Sequence, residues 1–332
     1  MQMYAEIELR AVYHARVMLL CALLLVAQSF FGPVFQSAFF IQNRIAAPEG
    51  VKGVSLADTT PHSSINISSN QDFILQGWPG NGTEESPYVI EALSIDFDGC
   101  CLNISNTNVF FAVSGCLLQT NSEAGRYSVH FQNVTNGRIE NSSIESYASG
   151  IFLENCEDCS IEECVFDTGW WCVRLESCLT CTILSSILFS SVDGIWAYDC
   201  PSLEVALNNI SGINGDDGII VGMCPNFMIR NNSVQSFSDE GIFIYSSHGG
   251  AIVNNTVQCT IGPQGSCGLS LYNVTNSRIV NNNVSTYRYG SIFNGHDCLF
   301  ESNIIHNNDQ GLLTWSTNCN YSRNMFGANY LP

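Results

Sequence analysis

From about residue 128 onward, apolar and polar positions alternate in short runs, and the runs return with a fixed period. Many units open on glycine followed by a strand-like alternation. Examples are Gly150-Ile151-Phe152-Leu153, Gly194-Ile195-Trp196-Ala197, Gly218-Ile219-Ile220-Val221, Gly241-Ile242-Phe243-Ile244 and Gly268-Leu269-Ser270-Leu271, with Gly290 and Gly311 opening two more. A second run follows: an apolar residue, two polar positions, an asparagine, one free position and another apolar residue. It fits Val205 to Ile210 around Asn208, Ile229 to Val234 around Asn232, Ile252 to Val257 around Asn255 and Ile279 to Val284 around Asn282. Phe300 to Ile305 around Asn303 and Tyr321 to Phe326 around Asn324 follow the same rule. Upstream, the asparagine slot holds Ser186, Cys164, Ser142 and Cys116. Units starting at 128, 150, 172, 194, 218, 241, 268, 290 and 311 are separated by 22, 22, 22, 24, 23, 27, 22 and 21 residues.

Alternation with a period of two argues strands. A fixed repeat of this length argues a solenoid. The opening glycine marks a turn of unusual φ/ψ or a close approach. Two or three short strands per unit predict an all-β fold, a single-stranded right-handed parallel β-helix of about ten coils. A leucine-rich repeat would need its own consensus and a helical half, which are missing. Equivalent residues then stack at ~4.8 Å. The inward asparagines Asn208, Asn232, Asn255, Asn282, Asn303 and Asn324 form a structural ladder, each amide bonding the next rung. Ser69 to Gly77 reads as a short capped helix able to plug the open end of the first coil. The expected organisation is 1–42 targeting segment, 43–62 linker, 63–100 N-terminal cap and first strands, and 101–332 parallel β-helix.

The stretch Gly77-Trp78-Pro79-Gly80-Asn81-Gly82-Thr83, continuing through Pro87-Tyr88-Val89-Ile90, resembles the entry motif of exported right-handed parallel β-helix repeat proteins of the PbH1/NosD-like type. Phe111-Ala112-Val113-Ser114-Gly115-Cys116 resembles their first ladder rung, and the likeness covers roughly residues 63–332. The resemblance implies the fold. It leaves function open among carbohydrate-binding and sugar-hydrolase modules, pectate-lyase-like enzymes and a periplasmic protein that helps supply copper to nitrous oxide reductase.

Composition narrows this choice. The net charge is -19 and Lys52 is the only lysine, which excludes a nucleic-acid surface. Arg10 and Arg16 precede an apolar run from Val17 to Val26 that continues to Ile41. This reads either as a signal peptide cleaved near Ala38 or as an uncleaved membrane tether through residues 17–41. Either way, the positive-inside rule puts the body outside the cytoplasm, at the cell surface or free. N-x-S/T sequons such as Asn209, Asn231 and Asn254 are consistent with an exported glycoprotein.

Three constellations could carry chemistry. Cys156, Cys178, Cys200 and Cys224 share one register, and Cys159 and Cys181 another. They are candidates for a disulfide ladder, with buried thiols or a metal site as the open alternatives. Asp193, Asp216-Asp217 and Asp239-Glu240 recur just before the coil-opening glycines. Stacked carboxylates ~5 or ~10 Å apart bracket the two glycosidase separations, so Asp193, Asp217 and Glu240 are the candidate catalytic residues, with Ca2+ as the one cofactor considered. The succession Asp193, Asp216-Asp217, Ser247-His248-Gly249 resembles polygalacturonases, but His248 falls 31 residues past Asp217 and no Arg-x-Lys follows. Finally, Trp196, Tyr198, Phe243, Tyr245, Tyr272 and Trp315 fall on outward positions as a ligand-binding strip. No His/Met cluster for copper is visible, and no metal ligands are assigned.

The sequence reading is therefore an extracytoplasmic β-helix that binds a polysaccharide or surface glycan along its lateral face, without catalysis. A polysaccharide hydrolase or lyase and a purely structural adhesion protein are the alternatives.

Overall fold

The computed structural model describes residues 53–121, 127–260 and 266–330, all within one compact unit. The targeting segment lies outside the described residues. No helix among them is long and apolar enough to cross a membrane.

Three parallel sheets of eleven, eleven and twelve strands wind together, each coil giving one strand to each sheet. Sheet 1 carries the strands that follow the opening glycines, such as Asp193–Tyr198, Ile219–Gly222 and Glu240–Tyr245. Sheet 2 carries Glu204–Ala206, Met228–Arg230 and Ala251–Val253. Sheet 3 carries Asn209–Gly215, Ser233–Phe237 and Thr256–Gln258. The register lays like over like. Ile151, Val173, Ile195, Ile219, Ile242 and Leu269 are successive partners in sheet 1. Ile183, Val205, Ile229, Ile252 and Ile279 do the same in sheet 2. These columns are buried and form one core running the length of the solenoid. Branched side chains stacked at the strand spacing fill such a core, and a slip of one residue would turn each column outward.

The corners explain the polar pattern. Before each inward corner residue stands one with positive φ, for example Asn231 (55°), Asn254 (57°) and Asn281 (57°). This left-handed residue bends the chain, and asparagine adopts that conformation more readily than most residues. The next residue then points inward. Asn208 Nδ2 donates to Asn232 Oδ1 at 3.1 Å, Asn232 Nδ2 to Asn255 Oδ1 at 3.0 Å, and Asn255 Nδ2 to Asn282 Oδ1 at 3.0 Å. Each Oδ1 also accepts the backbone N–H of the previous rung's asparagine, as Asn255 does from Asn232 at 2.9 Å. The ladder continues through Asn303 to Asn324 and, on the upstream side, through Ser186.

The opening glycines serve close approach, not unusual torsion. A Cβ at Gly241 would stand 2.2 Å from Val257 Cγ1 and 2.8 Å from the Gly268 carbonyl. Gly194, Gly218, Gly268 and Gly290 are crowded in the same way.

The capping helix α1 spans Asn70–Leu75 with Ser69 as its N-cap. Asp72 Oδ2 accepts the Ser68 and Ser69 backbone N–H groups at 2.7 and 3.1 Å. Phe73 is its one buried residue and stacks on Tyr88 at 4.9 Å, with Phe111 at 5.2 Å. The helix is inserted into a first coil that is already complete: Ile65–Ile67, Tyr88–Glu91 and Leu93–Asp96 pair with strands of the second coil. Pairing even reaches Thr60–Pro61, inside the stretch read from sequence as linker. That stretch has too short a strand to show periodicity.

Candidate functional site

The outward face of sheet 1 collects the aromatic residues. Alternation sends Ile195, Ala197, Ile242 and Ile244 inward, so Trp196, Tyr198, Phe243 and Tyr245 face out. Register aligns them in two columns: Trp196, Ile220, Phe243 and Ser270, and Tyr198, Gly222, Tyr245 and Tyr272. Trp196 and Tyr198 stack at 5.9 Å and 15°, and Phe243 and Tyr245 meet at 5.2 Å. The Tyr245 ring lies over Gly222, where a Cβ would stand 2.1 Å from Cζ. The glycine thus lets the tyrosine column continue through a rung that has no ring of its own. Tyr198 is 37 % exposed and Tyr272 40 %. Trp315, 56 % exposed, follows the last strand of this sheet, bonded through its N–H to the Phe293 carbonyl at 3.0 Å.

Toward the N-terminus the same face closes on itself. Arg174 Cζ lies 4.7 Å from the centroid of Trp196, 5.2 Å from Trp171 and 5.3 Å from Phe152. Its guanidinium also bonds Glu176 and donates to Tyr127 Oη at 3.1 Å. His130 and Tyr127 stack on Phe152, which is buried. Arg174 therefore fills an aromatic cage with its own side chain. Open ring surface begins beyond Trp196.

The acidic residues sit at the corner between sheets 3 and 1, beside this face. Asp193, Asp217 and Glu240 are buried, only 7, 6 and 5 % exposed. Their geometry is that of a ladder. Asp193 Oδ1 accepts the Asp217 N–H at 3.0 Å, and Asp217 Oδ1 accepts the Glu240 N–H at 2.7 Å. Asp193 Oδ2 accepts Trp171 Nε1 at 2.7 Å. Burial pushes the Asp193 carboxyl up to about 7, against the Trp171 bond and the Asp217 N–H, which pull it down. Asp217 is raised well above the usual range by burial, then by the neighbouring Glu240 and Asp193. The structure thus brings the three sequence-predicted residues together as a stacked set, in which burial favours the protonated forms of Asp193 and Asp217.

Two residues beside the ladder, Trp171 and Tyr287, escape a reading of sequence alone. Asp239, Asp217 and Glu240 bring ligand oxygens within 4.8 Å of one another. Tyr287 is fully buried, its hydroxyl unpartnered, and it stands 2.9 Å from where a Gly241 Cβ would be. Trp171 could have been found from its register, since it pairs with Asp193. Tyr287 gives no such signal, because the same corner position holds Asn308 in the next coil and Asn329 in the one after, so no aromatic residue repeats there.

The cysteines stack inside the corner between sheets 1 and 2. Asn155, Ser177, Asp199 and Met223 have positive φ, and each is followed by an inward cysteine: Cys156, Cys178, Cys200 and Cys224. Asp158 and Thr180 do the same for Cys159 and Cys181. Cys156 contacts Cys159 and Cys178, and Cys181 contacts the same two residues, which closes a ring of four thiols. Cys200 contacts both Cys178 and Cys224, extending the ring into a tail.

The sequence profile of the family described as periplasmic copper-binding protein (NosD) matches residues 64–266. The chain belongs to this family. No characterised protein matches in a comparison of sequences. Among solved structures, the A-module of the Azotobacter vinelandii mannuronan C-5 epimerase AlgE4 superposes with a TM-score of 0.59 at 12 % identity, over 83 % of this chain and 89 % of that one. The AlgE6 A-module from the same organism gives 0.51 at 13 % identity, over 81 and 91 %. At such identity the likeness is one of fold.

The NosD family description names copper, and the side chains can be weighed against it. Among the described residues, the one group of three ligand atoms within 4.8 Å consists of carboxylates. Hard oxygen donors suit calcium better than copper. The soft thiols run as a ring with a tail, and no three of their sulfurs lie mutually within that distance. These donors do not fit a copper centre.

Proposed function

We propose that this NosD-family β-helix is an extracytoplasmic protein that binds a neutral glycan on the outward face of sheet 1. Trp196, Tyr198, Phe243, Tyr245 and Tyr272 form the platform, and Trp315 extends it. The observation that carries the reading is the pair of in-register aromatic columns, whose rings remain half-buried or exposed from Trp196 onward. Rigid, flat rings spaced by the rungs offer apolar surface to sugar faces at little cost in entropy, and a contiguous exposed apolar strip marks binding. The charge of -19 disfavours acidic polymers. Arg174, the cation nearest the platform, is already held by Glu176.

The second reading is a polysaccharide hydrolase or lyase using Asp193, Asp217 and Glu240. The raised carboxyls support it, since acid catalysis needs a protonated group near neutral pH. Against it, Asp193 and Asp217 already accept backbone N–H groups of the next rung. A panel of neutral and acidic oligosaccharides, assayed for both retention and reducing-end release, separates the readings. Binding without turnover is the expected result. Turnover that Asp217→Asn abolishes would replace the binding reading with the enzymatic one, and no retention of any glycan would leave only a structural surface role.

A further inference from the structure

We infer that six core cysteines are a site of oxidation and close as three rung-to-rung disulfides: Cys156–Cys178, Cys159–Cys181 and Cys200–Cys224. All six are thiols in the structure, and all are buried.

The register fixes the partners. Glu154 pairs with Glu176, Glu176 with Tyr198, and Tyr198 with Gly222, each two residues before a cysteine of the first column. Ser160 pairs with Thr182, one residue after the second column. In-register parallel neighbours are held ~4.8 Å apart, inside the ~4.4–6.8 Å Cα window for a disulfide. The side chains of each proposed pair are in contact.

Two observations select this chemistry over the alternatives. A thiolate metal site needs three or four sulfurs around one point, whereas these sulfurs run as a ring with a tail and no three lie mutually within 4.8 Å. Bonds within the two turns, Cys156–Cys159 and Cys178–Cys181, would use a second geometry and leave Cys200 and Cys224 to a third bond of the first kind. Pairing between rungs uses one geometry three times. It also consumes all six thiols, each bond closing a hoop of one coil.

The step balances through thiol–disulfide exchange with an external disulfide, such as oxidised glutathione or a dithiol oxidase of the exported compartment. One cysteine, as thiolate, attacks the external disulfide and expels a thiol. The second cysteine then displaces the remaining thiol. Two S–H bonds are exchanged for one S–S bond, and the external disulfide leaves as two thiols. Since the thiols are sealed in the folded core, the exchange belongs to the time when each coil is docking on the one before.

Tryptic mapping tests the pairing directly. Trypsin cleaves after Arg138, Arg174 and Arg230, so Cys156 and Cys159 fall in peptide 139–174 and the other four in 175–230. The full chain, refolded with glutathione disulfide, is alkylated with N-ethylmaleimide in denaturant and digested without reduction. The expected result is a linked pair of peptides, with label on Cys164 and Cys172 alone and none on Cys178, Cys181, Cys200 or Cys224. Two separate peptides protected from label would mean pairing within the turns and would overturn the inference. So would labelling of all six cysteines.

Discussion

The acidic ladder yields the most quantitative test. Asp193 has its carboxyl moved from 3.8 to about 7 by burial, and Asp217 is raised in the same direction by burial and by the neighbouring Glu240 and Asp193. Folding therefore favours the protonated forms. The stabilisation this gives is complete below pH ~4 and is lost as pH rises through the folded value. The move from 3.8 to about 7, at ~1.36 kcal/mol for each tenfold change in proton affinity, sets a ceiling of about 4 kcal/mol on the loss that Asp193 alone can cause. Asp217→Asn mimics the protonated acid and keeps Oδ1 to accept the Glu240 N–H. It also removes one of the charges that Glu240 and Asp193 face. Urea unfolding of wild type and variant from pH 4 to 8 is the assay. The variant should match wild type at pH 4 and exceed it at pH 8 by about 1–3 kcal/mol. Parallel curves would refute the reasoning. A variant less stable at pH 8 would mean that the ionised carboxylate has a favourable partner, such as a cation held with Asp239.

Three other outcomes follow from the same structure. Asn255→Ala leaves the Asn232 backbone N–H without its acceptor in the core and should cost about 2–4 kcal/mol in urea unfolding. Gly241→Ala drives a methyl into Val257 and the Gly268 carbonyl, and should lower stability by at least ~2 kcal/mol, read as a drop in thermal midpoint. Arg174→Gln empties the cage between Trp171, Trp196 and Phe152, and should shift tryptophan emission as the rings become wet, with a loss of about 1–2 kcal/mol.

How far the chain could be read in advance depends on how often each feature recurs. The inward aliphatic columns and the alternation that turns Trp196 and Tyr245 outward repeat from coil to coil, and the ladder from Asn208 to Asn324 in six successive coils, so spacing alone exposes them. The shorter ladder formed by Asn308 and Asn329 has two rungs, too few to stand out as periodic. The acids before the glycines are visible as a pattern. Whether their oxygens face a ligand or the next rung's N–H is a matter of a few tenths of a nanometre that no spacing encodes. The glycines are ambiguous in the same way: sequence allows unusual torsion or close approach, and the position of Val257 against Gly241 decides for the latter. The Arg174 cage depends on side chains from four consecutive coils converging. The closed ring of thiols follows from register plus the two left-handed turn residues at Asp158 and Thr180.

The glycan platform is tested most directly by titrating oligosaccharides from a neutral panel into the protein while following tryptophan fluorescence, with Trp196→Ala and Tyr245→Ala beside wild type. The account predicts saturable binding by wild type and at least about tenfold weaker binding by each variant, some 1.4 kcal/mol per lost ring. Its contradiction would be a wild-type protein that gives no saturable signal with any glycan, or variants that bind as tightly as wild type does.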